Sequence, residues 1–292
     1  MRLAPAKVNL YLHVGAPDAR GYHPLQSLVM FADVGDEVRF LPALSNGSDE
    51  KLRVHLSVDG PFGGGLSNGE DNLILKAVRR FEMAAGVTVN GDFALDKNLP
   101  IASGIGGGSA DAGAVLHLLR QAYVPEMADD VLASVAGAIG ADGVMCLWSR
   151  SSFAAGYGEV LTPARLPSVP AVLINPLVEC STAAVYKGFD ALDQFSPVTP
   201  AEGFERLKGV GDLVDALRRA RNDLQAPAIQ IAPAIADILQ MLEAQSETLL
   251  ARMSGSGATC FALCATPDEA QSLAVKLAAI YPAAWIKACT LS

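Results

Sequence analysis

The residues best placed to do chemistry stand in one run, Pro100-Ile-Ala-Ser-Gly104-Ile105-Gly106-Gly107-Gly108-Ser109-Ala110-Asp111-Ala112. Four glycines fall within five positions, and a stretch with one apolar face follows in Ala112, Val115, Leu116, Leu118 and Leu119. Glycines let the backbone bend closely and turn amide N–H groups outward. A helix start adds free N–H groups and a partial positive charge. Together these make a cradle for phosphate. The run is not a P-loop, because no Gly-Lys-Ser/Thr follows. Nor is it the dinucleotide fingerprint, because Ser109 stands where the third glycine would fall. Taken alone, it also reads as a flexible turn feeding a helix.

Other side chains offer weaker signals. Lys7, Asn9 and Tyr11 alternate with Val8, Leu10 and Leu12, so a strand there places a lysine and an asparagine on one face. Such a face could line a polar pocket, but an ordinary solvated strand face is the commoner outcome. Asp142, in Gly140-Ala141-Asp142-Gly143, follows a helix end and either presents its carboxylate to a cleft or closes a local turn. Tyr22 and His23 sit in a loop and could grip a flat ring. Ser254-Gly255-Ser256-Gly257-Ala258 is either a second anion loop or a tight turn between strands. His13, His55 and His117 have no carboxylate or cysteine at ligand spacing and are expected to be structural. Arg218, Arg219 and Arg221 read as a solvated helix face.

The elements that must position these groups follow from periodicity. Strands are expected over 6–14, 25–34, 36–41, 51–58, 93–95, 144–148, 152–155 and 171–175. Helices are expected over 72–85, with Gly86 as the stop, over 129–139, ended by Gly140, and over about 267–280. Residues 61–68, with three consecutive glycines, read as a loop. The prolines at 163, 167 and 170 suggest a linker over 162–170. Strands and helices mix without a regular βαβ repeat, so the class is α+β.

With 292 residues, 51% hydrophobic and 18% charged, the chain is long enough for one large domain or two ordinary ones. A net charge of −9 argues against a general nucleic-acid binder but not against an anionic small substrate, whose site field is local. The five cysteines show neither Cys-x-x-Cys nor zinc spacing, which suits free thiols. A basic-then-apolar leader is missing, and no run of about 18 apolar residues occurs, so a cytoplasmic protein without a membrane anchor is expected.

Taken together, these pieces resemble one family. Residues 5–12, 100–112 and 253–260 match, in order, the three blocks of the GHMP kinases, the superfamily of galactokinase, homoserine kinase and mevalonate kinase. Gly21-Tyr22-His23, Glu70-Asp71-Asn72-Leu73, Gly140-Ala141-Asp142 and Arg221-Asn222-Asp223-Leu224 add to the likeness, which spans nearly the whole chain. The resemblance implies a two-domain α+β fold, with an ATP-binding domain over 1–160, a second domain over 161–292 and the active site in the interdomain cleft. It implies ATP and Mg²⁺, with no metal ligand assigned, and a small-molecule alcohol as acceptor. The acceptor of the most similar branch is a cytidine diphosphate-linked methylerythritol. By the same resemblance Asp142 and Lys7 are catalytic. Pro100, Gly104, Ile105, Gly106, Gly107, Gly108 and Ser109 hold the phosphates, and Asn72 lies near the adenine. Tyr22, His23 and Tyr186 read the base, and Asn9 and Thr182 touch the acceptor. Two positions depart from the pattern: Gly143-Val144 replaces a Val-Pro, and Ile101-Ala102-Ser103 carries less glycine than usual. A kinase of the homoserine or mevalonate type, or a ligand sensor on the same fold, is the alternative. Tyr22-His23 and the triple glycine speak against the first, and the presence of Lys7 and Asp142 against the second.

Overall fold

The computed structural model describes residues 1–43, 54–204 and 207–292. They form two compact units that interleave along the chain. Unit 1 comprises residues 1–6, 35–101 and 106–149; unit 2 comprises residues 7–34, 102–105 and 150–292. Compactness therefore follows a different line from the single boundary near residue 160 expected from the resemblance.

In unit 1, the second part of β2 (Leu25–Pro42) pairs antiparallel with β4 (Gly91–Asp96), which pairs parallel with β3 (Val54–Asp59). The parallel pair needs a crossover, supplied by α1 (Leu73–Ala85). Ile74, Ala77, Val78 and Phe81 give α1 one buried stripe at helical spacing. Asn72 caps its first turn through Ile74 N, and Gly86 ends it at a left-handed φ of 65°. Then come α2 (Gly107–Tyr123), α3 (Asp129–Gly137) and α4 (Gly143–Trp148). The expected strand over 144–148 is thus a helix. Its six residues are too few to show a period, and the consecutive burial of Met145, Cys146 and Leu147 fits a short buried strand and a short buried helix alike. The expected strand over 51–58 begins outside the described residues and continues as β3.

Unit 2 is a sheet in the order β2, β10 (Trp285–Leu291), β7 (Val169–Asn175), β9 (Cys260–Leu263) and β8 (Leu250–Met253). Its β10–β7, β7–β9 and β8–β9 pairs are antiparallel. The remaining strands, β1 (Arg2–Val14), β5 (Ser152–Ala155) and β6 (Val160–Pro163), attach through β2 or each other. The expected linker over 162–170 is strand at both ends, with only 164–168 outside it: Pro163 closes β6 opposite Ser152, and Pro170 lies within β7 opposite Thr290. Helices α5 (Thr182–Leu192), α6 (Val210–Arg218), α7 (Gln225–Ile231), α8 (Ala234–Glu243) and α9 (Pro267–Ile280) complete the unit. Val185, Phe189, Ala228, Ile235, Leu239 and Leu273 bring four of these helices onto one core with Val172, Ile174 and Cys260 of the sheet. A full capping box between Thr266 and Glu269, with Pro267 at the first turn, fixes where α9 begins. All five cysteines are free and buried.

Candidate active site

The glycine run resolves into two parts. In unit 1, Gly106 takes a left-handed φ of 67° and starts α2 with no side-chain cap. The first turn of a helix has no carbonyl behind it, so the amides of Gly107, Gly108 and Ser109 lack intrahelical acceptors. Below this turn lies a buried charge cluster. Lys97, just past β4, places Nζ against Asp36 Oδ2 and 2.8 Å from Asp111 Oδ2 in the first turns of α2. Asp36 Oδ1 also accepts from the backbone N–H groups of Asn98 (2.6 Å) and Leu99 (2.7 Å). The three charged side chains are 3%, 0% and 4% exposed. Burial pulls the Lys97 ammonium down, but its two carboxylate partners outweigh it and the net shift is upward. Burial drives the Asp111 carboxyl up, against the pull of Lys97. Space is tight here: a Cβ on Gly107 would stand 3.0 Å from Lys97 Nζ, and one on Gly108 would stand 3.1 Å from Leu73.

Asp142 is the residue before α4, half-buried, at φ −84° and ψ 0°. Its carbonyl accepts from Cys146 N, while its side chain does not cap the helix. Gly143 explains the departure from the family pattern: a Cβ there would overlap the Ala136 carbonyl of α3. The turn is fixed by close backbone packing against α3. Asn72 uses its amide locally, Oδ1 taking Ile74 N–H and Nδ2 donating to the Ser67 carbonyl. Pro100 is buried.

In unit 2, the other part of the run docks onto the turn at 254–258. Gly104 has φ +75°, and a Cβ on it would lie 2.7 Å from the carbonyls of Ser254 and Gly257. The buried Ile105 accepts from Lys7 N at 2.8 Å. The face bearing Lys7, Asn9 and Tyr11, which could have been solvated, is buried: the three are 7%, 5% and 0% exposed. Asn9 donates from Nδ2 to Ser27 Oγ and from its backbone to Ser254 Oγ, while its buried Oδ1 accepts nothing. Thr182 Oγ1 lies 2.7 Å from Ser256 Oγ.

Tyr22 and His23 part company. The His23 ring packs on Tyr186, centroids 5.1 Å apart, with Nδ1 on the Gly15 carbonyl and Nε2 3.3 Å from Asp190. Tyr22 is 61% exposed and meets Tyr157 edge-on, with Arg20 over both rings. His23 and Tyr186, both expected to read the base, lie against each other, whereas Tyr22 stands apart. Sequence reasoning missed Lys97, Asp36 and the charge on Asp111, and it missed Asn222, whose Nδ2 donates to the carbonyls of Met253 and Gly255. The available signal was a lysine and an aspartate flanking a glycine loop inside apolar segments, where charges are rarely buried unpaired.

Known proteins resemble this chain over nearly its whole length. The family model described as "GHMP kinases N terminal domain" matches residues 72–150, and "GHMP kinases C terminal" matches residues 201–283. A Caulobacter sp. protein named 4-diphosphocytidyl-2-C-methyl-D-erythritol kinase is 48% identical over 99% of this chain and 97% of its own length. Its namesake from Caulobacter vibrioides is 46% identical over 99% and 98%. A crystal structure of 4-(cytidine 5'-diphospho)-2C-methyl-D-erythritol kinase superposes with a TM-score of 0.80 at 32% identity, covering 100% of this chain and 98% of that one.

Proposed function

We propose a phosphoryl transfer for this chain, which belongs to the 4-diphosphocytidyl-2-C-methyl-D-erythritol kinase family of the GHMP kinases. It moves the γ-phosphoryl group of ATP to the 2-hydroxyl of 4-diphosphocytidyl-2-C-methyl-D-erythritol, a step of the non-mevalonate route to isoprenoid precursors. The observation that carries the reading is the uncapped start of α2, an array of amides set over a buried ion cluster.

Phosphoryl transfer asks the protein for position and charge rather than covalent chemistry. Residues 104–109 supply donors to the ATP phosphates that need no reorganisation. Asp142 accepts the proton of the acceptor hydroxyl, and Lys7 stabilises charge on the transferring group. The unmatched Oδ1 of Asn9 accepts from a donor of the acceptor alcohol, and Thr182 assists. Asn72 and Pro100 lie along the nucleotide. His23, Tyr186 and Tyr22 select the cytosine. The bonds from His23 to Gly15 and Asp190 fit an imidazole whose ring face, rather than both nitrogens, meets the base. Mg²⁺, where it accompanies ATP, would supply charge neutralisation at the phosphates. On this chain Asp142, a half-buried carboxylate, has the chemistry to hold it, and among the described residues no three His, Cys, Asp or Glu side chains gather into a metal cage. Among the described residues no helix is long and apolar enough to cross a membrane. The cytoplasm is the compartment proposed.

Coupled ATP turnover with the diphosphocytidyl substrate, homoserine, mevalonate and galactose tests the assignment. Turnover confined to the first is the expected result; turnover with another acceptor alone overturns it.

A further inference from the structure

We propose that unit 1 carries a second anion site, for a small phosphate-bearing molecule, in a cavity lined by Arg2, His117, Arg120, Gln121, Ala128 and Asp129. The cavity measures about 580 Å³, within the ~300–1,000 Å³ typical of small-molecule sites. It gathers three elements: the start of β1, the C-terminal end of α2 and the first turn of α3. Arg120 lies thirteen positions after Gly107 on α2, which at 1.5 Å per residue is roughly 20 Å. The cavity is therefore not the ATP cradle.

Its chemistry is cationic on a chain of net charge −9. Asp129 holds Arg120 at 2.6 Å, and the Arg120 guanidinium lies over the Trp148 ring at 6.0 Å, which fixes its plane. Arg2 has no ion-pair partner among the described residues. Burial and the nearby Arg120 pull the Arg2 guanidinium below its usual range, and burial with both arginines does the same to His117. A bound anion relieves that repulsion. His117 Nε2 meets the Leu147 carbonyl at 2.8 Å, which orients the ring. The first turn of α3 starts at Ala128, whose side chain supplies no cap. The two guanidiniums lining one hollow, Arg2 exposed and Arg120 held by Asp129, are donors that phosphate oxygens accept from; the first-turn amide of Val131 is already taken by Asp130 Oδ1 at 2.9 Å.

Isothermal titration of the full chain with inorganic pyrophosphate, its ATP site filled by a non-hydrolysable ATP analogue, tests this. One pyrophosphate is expected to bind. Arg2→Gln is expected to weaken it about tenfold or more, the loss of one strong charge-assisted contact, with melting temperature and basal turnover unchanged. Arg120→Gln is expected to weaken it as well. The readout needs no turnover, so it is independent of the acceptor assigned above. No binding beyond the ATP site, or unchanged binding to folded Arg2→Gln, overturns the site. Citrate binding as tightly as pyrophosphate overturns the assignment to phosphate.

Discussion

The turns at 104–109 and 254–258 are both rich in glycine and serine, yet they treat their amides in opposite ways. At 254–258 Ser254 N donates to Thr259 O, Gly257 N to Ser254 O and Thr259 N to Ser103 O. Asn222 adds two bonds to carbonyls. Every group in that set is neutral. The turn connects two paired strands, and a ladder claims amides as soon as the turn ends. At 106–109 the chain enters a helix instead, whose first turn has nothing to claim them. Ionic partners beneath, Lys97 with Asp36 and Asp111, take over the work of fixing the backbone. Glycine content does not tell an anion loop from a structural turn; the element that follows does.

The largest effect that could break this comparison is Lys97→Met. It leaves two buried carboxylates without their cation, which costs about 3–5 kcal/mol for a buried pair. Urea unfolding should show that loss, and the Michaelis constant for ATP should rise while that for the acceptor holds. An unchanged ATP constant in folded protein would detach the ion cluster from the loop. Next comes Asp142→Asn, expected to lower kcat on the order of 10²-fold with melting unchanged, as for loss of a positioned base. Near-normal turnover would remove the proposed mechanism.

Asn222→Ala sharpens the contrast from the other side. Two buried carbonyls lose their donor, at about 1–3 kcal/mol each at most. Stability should fall while both Michaelis constants stay put. A rise in the ATP constant matching that of Lys97→Met would erase the distinction between the turns. The smallest effect is pH-dependent. His13, whose ring lies between the Thr199 carbonyl and the Arg221 N–H, is pulled below its ordinary 6.5 chiefly by burial. The unfolded chain takes up that proton first, so the stability present above about pH 6.5 declines as pH falls through the lowered value. Melting temperatures between pH 8 and pH 5 should show a fall that His13→Gln flattens.

Much of this was legible in the sequence. Asn72, Gly86 and the stretch 267–280 were readable because capping and periodicity are local. The helix start at the glycine run was readable because a stretch with one apolar face at helical spacing follows it. What escaped was non-local. Gly35 looks like a turn between strands, yet β2 runs straight through it: a Cβ there would overlap the Ala4 carbonyl, so the glycine serves a close approach rather than a bend. Asp36 lies 61 positions from Lys97, and each reads singly as a surface charge. Gly143 likewise serves a close approach to the Ala136 carbonyl of α3, which no local pattern announces.

The interleaving of the two units carries a consequence for how the protein is made. Unit 2 needs residues 7–34 and also β10, where Leu291 pairs with Ala32 and Ser292 exchanges backbone bonds with Phe31. A ribosome adds about 5–20 residues per second, so the first strands wait on the order of tens of seconds for their last partner. Unit 1 has all its segments by residue 149 and can close earlier. Vectorial synthesis thus orders the assembly, with the helix that presents the amides in place well before the sheet of unit 2 is complete.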